Sequence, residues 1–211
     1  MALKLAQGIF LLELPEPSSN AFLVEGRVLV DPGLSSRGEL EEELREAGTR
    51  ARQVKAILLT HSHADHSSNA RFFPHALVHA HPKAVERLGA GKASETAFDL
   101  FGVPPLPCKK YAVLKEERQE IEGINLNVIF TPGHTDDAVC FYELKMRTLF
   151  CGDTLFVGGV PRIFCGGSRE SLLRSWGKIE KECSGARLVC AGHGLPSKDL
   201  KKELEFSRSS L

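Results

Sequence analysis

The segment His61-Ser62-His63-Ala64-Asp65-His66 places three imidazoles and one carboxylate within six residues. It follows the apolar run 54–60 directly, and an apolar run that stops at a polar cluster is typical of a buried strand that delivers side chains at its end. Neutral imidazole and carboxylate are ligands that Zn²⁺ and Fe²⁺ accept. The cluster therefore predicts a metal site, in preference to a solvated polar loop.

Three later positions extend this pattern of ligands: His134, Asp153 and His193. Each follows a predicted strand and stands beside a glycine, which allows the backbone to turn tightly and to approach a metal closely. Each match taken alone is a weak signal. Their occurrence in this order, after the six-residue cluster, is a strong combined signal for one metal centre.

The elements that must position these ligands alternate between strands and helices. Ser36 and Glu39 match a capping box that opens a helix to about residue 47, and Pro82 suits the first residue of another helix. We predict an α/β layered protein with one domain over residues 1–211 and a lid insertion at about 90–110. The remaining helices are predicted at 68–73, 168–182 and from Ser197 onward, and the strands at 9–14, 21–25, 28–30, 54–60, 76–80, 119–121, 126–130, 138–144, 148–151 and 187–190.

Composition excludes several classes of partner. The 211 residues carry 27 basic and 27 acidic side chains, so no long-range field draws in nucleic acid or an anionic membrane. The apolar stretch in residues 1–14 is too short to span a bilayer and lacks a signal-peptide cleavage site, which predicts a cytoplasmic protein. We expect a small-molecule substrate. For the oligomeric state, a homodimer is the alternative to a monomer.

The six cysteines show no Cys-x-x-Cys pairing and no regular framework. In a cytosolic protein of this length such residues are expected to be buried thiols. A disulfide between Cys140 and Cys151 across a hairpin is the alternative. The cysteines are Cys108, Cys140, Cys151, Cys165, Cys183 and Cys190.

The ligand motifs resemble those of the metallo-β-lactamase-fold superfamily, whose five metal motifs are all present between Asp31 and His193. The resemblance implies a four-layer αβ/βα sandwich of two mixed β-sheets flanked by helices. It also implies that one metal ion is bound by His61, His63 and His134. A second ion is bound by Asp65, His66 and His193, and the carboxylate of Asp153 bridges the pair.

Such a site implies hydrolysis. Two divalent ions, zinc by this resemblance, would share a water and lower its pKa from about 15.7 toward neutrality, giving a metal-bridged hydroxide. Asp65 would orient that hydroxide as well as bind metal. Hydrogen bonds that orient the imidazoles are expected from Asp31, Thr60, Thr131 and Thr154, with a simple turn as the alternative for Asp31.

The segment 152–162 is similar to the glyoxalase II and persulfide dioxygenase branch, although those families usually have glycine where Pro161 stands. Arg162 is then a candidate for contact with an anionic substrate or for structuring its loop. Only 18 residues follow His193, so the helical glutathione-binding domain of human-type glyoxalase II is not expected. We therefore favour a glyoxalase II-like hydrolase of a different small thioester, ester or lactone.

The main alternative is a persulfide dioxygenase with a single Fe(II), held by His61, His134 and Asp153. A nuclease is disfavoured by the zero net charge, and a silent binding scaffold by the complete ligand set. A second histidine group, His75, His79 and His81, is open to an accessory metal site, with partly exposed strand histidines as the alternative.

Overall fold

The computed structural model describes residues 1–106, 110–164 and 166–211, so the predictions on Cys108 and Cys165 and on the end of the lid lie outside the described residues. The described chain divides into two compact units, residues 1–113 and 114–211. Each unit is built on one mixed β-sheet with helices.

The first unit contains a seven-stranded sheet in which consecutive strands are neighbours. The first four strands pair antiparallel and the last four pair parallel. The switch to parallel pairing comes where helices begin to connect the strands. The strands are β1 (Leu3–Ala6), β2 (Ile9–Leu12), β3 (Ala21–Val24), β4 (Val28–Val30), β5 (Ala56–Leu58), β6 (Leu77–Ala80) and β7 (Tyr111–Val113).

Three helices connect the parallel strands: α1 (Arg37–Glu46), α2 (Ala64–Ser67) and α3 (Pro82–Gly89). The Ser36 side chain accepts a hydrogen bond from the Glu39 amide and Glu39 returns one, so the predicted capping box is present. His81 caps α3 by accepting a hydrogen bond from the Lys83 amide. Short 3₁₀ turns lie at Ala51–Gln53, Ser68–Phe72 and Ala93–Glu95.

The second unit contains a five-stranded sheet with the order β12-β11-β10-β9-β8. All of its neighbours are antiparallel except β11 and β12. Its elements are β8 (Arg118–Ile121), β9 (Ile124–Phe130), β10 (Val139–Glu143), β11 (Thr148–Gly152), α4 (Arg169–Glu182), β12 (Leu188–Ala191) and α5 (Leu200–Ser210).

Each unit has its own apolar core. In the first, Leu29, Ile57 and Phe98 are fully buried within one cluster. In the second, Trp176 and Leu172 of α4 pack against the sheet together with Leu204 of α5. Burial of such side chains contributes about 1.5–3 kcal/mol each. The cores fix the strand ends at which the polar clusters stand.

Most predicted elements agree with the structure to within a few residues. The apolar stretch 1–14, which predicts one strand, forms the two strands β1 and β2; β7 was not predicted, and the terminal helix was placed too early. Ser197 instead forms an antiparallel bridge with Val189, and α5 begins at Leu200 because Asp199 caps it by accepting a hydrogen bond from the Lys202 amide. Within the described part of the chain, no helix has the length and apolarity that a bilayer crossing needs.

Candidate metal centre

The first unit places its four predicted ligands after β5. His61 and His63 lie in the turn that follows the strand, and Asp65 and His66 lie on the single turn of α2. The ring centroids of His61 and His63 are 4.6 Å apart, and those of His61 and His66 are 4.1 Å apart. All four side chains are buried. Three imidazoles and a carboxylate are thus concentrated at one strand end, as the sequence predicts.

Asp31, at the end of β4, orients two of these imidazoles. Its Oδ2 lies 2.9 Å from Nδ1 of His66 and accepts a 2.6 Å hydrogen bond from the hydroxyl of Thr60. The Thr60 hydroxyl oxygen in turn lies 3.2 Å from Nδ1 of His61. Because the Thr60 proton is used toward Asp31, Nδ1–H of His61 donates to Thr60, and Nε2 of both rings keeps its lone pair. The orienting roles expected of Asp31 and Thr60 are confirmed.

Asp31 adopts a left-handed conformation with φ 47°, which is uncommon for a residue other than glycine. Its Oδ1 also accepts a 2.8 Å hydrogen bond from the Thr60 amide. Backbone strain of this kind persists only where surrounding contacts enforce it. The conformation therefore marks Asp31 as more than a turn residue.

Backbone contacts that the sequence did not reveal hold α2 in place. The Gly33 amide donates to the carbonyl of His66 at 3.1 Å, and the Ser19 amide donates to the carbonyl of Asp65 at 3.1 Å. Gly33 has φ 81°, and a Cβ there would lie 2.5 Å from Oγ of Ser18. A side chain at Gly33 would therefore displace the loop that fixes the ligands.

The second unit places its three predicted ligands after β9, β11 and β12, whose carboxyl ends share one edge of the sheet. Oδ2 of Asp153 lies 3.6 Å from Nε2 of His134 and 3.8 Å from Nε2 of His193. Both separations are too long for hydrogen bonds. They are close to the roughly 3.3 Å between two ligands at about 2.0–2.1 Å from one tetrahedral zinc. The Asp153 carboxylate is thus placed between two imidazoles.

The ring of His134 is oriented by a backbone group. Its Nδ1 lies 2.6 Å from the carbonyl oxygen of Arg162. A carbonyl only accepts, so Nδ1 carries the proton and Nε2 is left as the ligand atom. The Phe164 amide donates to the carbonyl of His134 at 2.7 Å, so a second hydrogen bond joins His134 to the same loop. Arg162 therefore structures the site through its backbone, whereas contact of its exposed side chain with substrate stays a prediction.

Thr131 and Thr154 do not orient imidazoles, so that expectation is wrong. Their hydroxyls lie 2.9 Å from each other, and the carbonyl of Thr154 accepts a 2.7 Å hydrogen bond from the indole of Trp176. Ser175, on the same helix α4, donates to the carbonyl of Pro132 at 2.7 Å. The contact between the two threonine hydroxyls therefore joins the loops that carry His134 and Asp153, and both loops are hydrogen-bonded to α4.

The residues present fit a metal ion in their donor chemistry. Groups of three or more His and Asp side chains that could hold an ion occur among the described residues. The rings of His61, His66 and His134 are each oriented by a hydrogen bond at Nδ1, which makes Nε2 the atom that would bind a metal. Nitrogen and oxygen donors of this kind suit zinc and iron.

The second histidine group does not form such a set. Among the described residues, His75, His79 and His81 belong to none of the groups that could hold a metal. Nδ1 of His81 instead accepts a 3.2 Å hydrogen bond from the Lys83 amide. The accessory metal site is therefore not supported, and His81 acts as a helix cap.

The four described cysteines are buried, and Cys140 and Cys151 are not bonded to each other, so the alternative of a Cys140–Cys151 disulfide is wrong. Burial raises the pKa of the Cys183 and Cys190 thiols. It also raises the pKa of Cys151, with Cys140, Cys190 and the Asp153 carboxylate adding to the effect. These thiols stay protonated and behave as small apolar core residues, as predicted.

Comparison with known proteins decides the family. The model of the metallo-beta-lactamase superfamily matches residues 14–193, a span that includes Asp31 and all seven predicted ligand positions. The chain belongs to the metallo-beta-lactamase superfamily. Members of this superfamily bind metal ions, and the predicted fold class of two mixed sheets with flanking helices is confirmed.

Relatives within the metallo-beta-lactamase superfamily include hydrolases. A probable metallo-hydrolase, MJ0888 of Methanocaldococcus jannaschii, is 35% identical over 153 residues, which cover 69% of this chain and 71% of that protein. A hydroxyacylglutathione hydrolase of a Synechococcus strain is 29% identical over 87% of this chain, which spans only 62% of that enzyme.

Among solved structures, the metallo-beta-lactamase family protein TTHA1429 of Thermus thermophilus matches with a TM-score of 0.79 and 30% identity. The match covers 98% of this chain and 80% of that protein. The family and the relatives together identify a metallo-hydrolase with glyoxalase II-like homologues.

Proposed function

We propose that this protein hydrolyses a small thioester or ester, with two divalent ions, zinc in the first instance, held by its seven predicted ligands. The observation that carries the proposal is the Asp153 carboxylate, whose Oδ2 lies 3.6 and 3.8 Å from Nε2 of His134 and His193. A carboxylate oxygen placed between two imidazoles suits a ligand shared by two ions. The name of the Synechococcus relative supports the thioester class.

The proposed ligand sets follow the family pattern. His61, His63 and His134 would hold one ion, and Asp65, His66 and His193 the other. When bound, a pair of divalent ions supplies Lewis acidity and lowers the pKa of a shared water. The protein's part is to hold each imidazole in one orientation, which Asp31, Thr60 and the Arg162 carbonyl do through Nδ1.

Asp65 has the proposed catalytic role. Its carboxylate is buried, and its Oδ2 lies 3.7 Å from Nε2 of His66. Its backbone carbonyl accepts a hydrogen bond from the Ser19 amide, which fixes the position of its Cα at the start of α2. A carboxylate held beside the attacking water accepts its hydrogen bond and directs its lone pair toward the substrate carbonyl.

Metal analysis and a substrate panel test this proposal. Protein purified without added metal should contain about two zinc ions per chain and should hydrolyse acyl thioesters. About one iron per chain, with oxygen uptake on a glutathione persulfide, would overturn the hydrolase in favour of the single-iron dioxygenase. Absence of any bound metal would support a silent scaffold instead.

Asp153→Asn provides the variant for the same test. It retains the volume of the side chain but removes the charge that holds two close cations, so both metal affinity and turnover should fall by about 100-fold. Asp99→Asn, which changes an exposed carboxylate, is the matched control and should retain both. Retention of two metals in Asp153→Asn would count against a shared ligand.

A further inference from the structure

The two segments that follow Asp153 and His193 are unusually apolar for loops beside a polar centre. Residues 154–164 read Thr-Leu-Phe-Val-Gly-Gly-Val-Pro-Arg-Ile-Phe and contain one charge, Arg162. Residues 194–196 read Gly-Leu-Pro and contain none. The loops that flank the ligands of the second unit are therefore built from apolar side chains.

Several of these apolar side chains are exposed. Ile163 is 43% exposed, Phe164 39% and Leu195 69%. Within the described part of this unit, the other large apolar side chains left exposed are Leu173 and Phe206, which lie on helices α4 and α5. Scattered exposed apolar residues need no explanation, but a group beside a polar site is typical of a ligand-binding surface.

The apolar loops lie directly against the ligands. The ring of Phe164 meets that of His134 edge to face with centroids 5.4 Å apart, and Phe156 meets His193 in the same way at 5.9 Å. Ile163 stands between Phe164 and Arg162, whose carbonyl orients His134. A substrate whose reacting carbonyl lies near these imidazoles therefore has apolar surface within reach.

Helix α5 holds this surface in place. Oε2 of Glu203 accepts a 3.0 Å hydrogen bond from the Gly158 amide, and Ser207 donates to the carbonyl of Gly159 at 3.1 Å. Oε1 of Glu203 accepts a 2.9 Å hydrogen bond from Ser197, in the loop that follows His193. A surface fixed before binding loses little conformational entropy when a ligand covers it.

We infer that the substrate carries an apolar acyl group, which packs on the wall formed by Ile163, Phe164 and Leu195; this inference rests on the proposed ester or thioester hydrolysis. Arg162 is the one cation in residues 154–164 and Lys198 follows in the loop after His193, so apolar side chains outnumber cations on this surface. Each methylene group that leaves water for the wall should raise kcat/KM by up to about fourfold.

The test uses the metal-loaded protein and thioesters of one thiol with acyl chains from acetyl to octanoyl. We expect kcat/KM to rise with chain length. Ile163→Ser and Leu195→Ser should each lower the ratio of octanoyl to acetyl kcat/KM by about tenfold, because each removes most of an apolar side chain from the wall. The controls Leu173→Ser and Phe206→Ser change apolar residues on helices that are 41% and 42% exposed, close to the value for Ile163, and should leave the ratio unchanged.

The outcomes separate this inference from the proposed function. Hydrolysis with a flat dependence on chain length, or with a ratio that Ile163→Ser and Leu195→Ser do not change, overturns the apolar wall and leaves the hydrolase standing. Absence of hydrolysis throughout the series overturns the hydrolase. In that case calorimetric binding of octanoate against acetate still tests the wall, and equal affinity for the two overturns it. Loss of dimerisation in the same two variants would show a contact between copies, which also overturns it.

Discussion

Nδ1 of His66 lies 2.9 Å from Oδ2 of Asp31, a residue 35 positions earlier in the chain. The same carboxylate accepts hydrogen bonds from the amide and the hydroxyl of Thr60. One buried carboxylate thus fixes His66 directly and His61 through Thr60. The preorganisation of the ligands in the first unit depends on this residue, which binds no metal in the proposed scheme.

Asp31→Asn tests that dependence. Asparagine has one acceptor oxygen where Asp31 uses two, so its NH2 group must face either the Thr60 amide or Nδ1–H of His66. In either orientation a buried donor loses its acceptor, and the Thr60 loop or the His66 ring is no longer held in place. We expect metal affinity, measured by competition with a chromophoric chelator, to fall by about 10–100-fold. Asp99→Asn is the control in the same unit and should retain the parent affinity.

A denaturant titration of the metal-free Asp31→Asn protein completes that test. An unsatisfied buried donor costs about 1–3 kcal/mol, so the free energy of unfolding should fall by that order. If the variant lost stability but retained metal affinity, Asp31 would be a structural residue only.

The sequence revealed the residues that carry chemistry but not the backbone groups that orient them. His61 to His66 stand out because polar residues concentrated at a strand end have a recognisable pattern. The Arg162 carbonyl has no such pattern, because every residue has a carbonyl and its contact with His134 joins positions 28 residues apart. Glu203 was missed for a similar reason, since a glutamate among the charged residues of α5 resembles a solvated helix face.

Gly133 and Gly177 form a matched pair for the packing of the His134 loop against α4. A Cβ at Gly133 would lie 2.5 Å from Cα of Leu172, whereas a Cβ at Gly177, inside α4, would meet nothing within 4 Å. Gly133→Ala should therefore lower the free energy of unfolding by about 1–3 kcal/mol. Gly177→Ala should raise it by about 0.5–1 kcal/mol, because alanine favours the helix. Urea titrations of the metal-free proteins measure both, and shifts of the same sign would contradict the packing argument.

The buried thiols of Cys183 and Cys190 predict a loss of stability in alkali. Burial raises the pKa of both above the ordinary thiol value of 9.0. Above pH 9 the unfolded chain releases these protons while the folded protein retains them, so the stabilisation present below pH 9 is lost as pH rises. Each thiol should contribute a slope of up to about 1.4 kcal/mol per pH unit.

The double variant Cys183→Ala/Cys190→Ala should therefore lose stability less steeply than the parent between pH 9 and 11. Other titrating groups are common to both proteins and cancel in the difference. If the curves of stability against pH for parent and variant were parallel, offset only by the packing cost of the substitutions, the pKa of these thiols would not be raised in the folded protein.

Glu203 joins the loops of two ligands, so its removal should affect the metal centre from a distance. Glu203 is 3% exposed, and its carboxylate accepts hydrogen bonds from the Gly158 amide and the Ser197 hydroxyl. Glu203→Leu leaves both donors without an acceptor and should loosen the loops after Asp153 and His193. We expect a metal affinity lower by about tenfold in chelator competition and a smaller ratio of octanoyl to acetyl kcat/KM.

Two variants serve as controls for Glu203→Leu. Glu203→Gln retains one acceptor oxygen and should restore part of the metal affinity and of the ratio, whereas Glu205→Leu, on the exposed face of α5, should change neither. If Glu203→Leu, measured at temperatures where it stays folded, had the metal affinity and the kcat/KM ratio of the parent, Glu203 would contribute to the stability of α5 only.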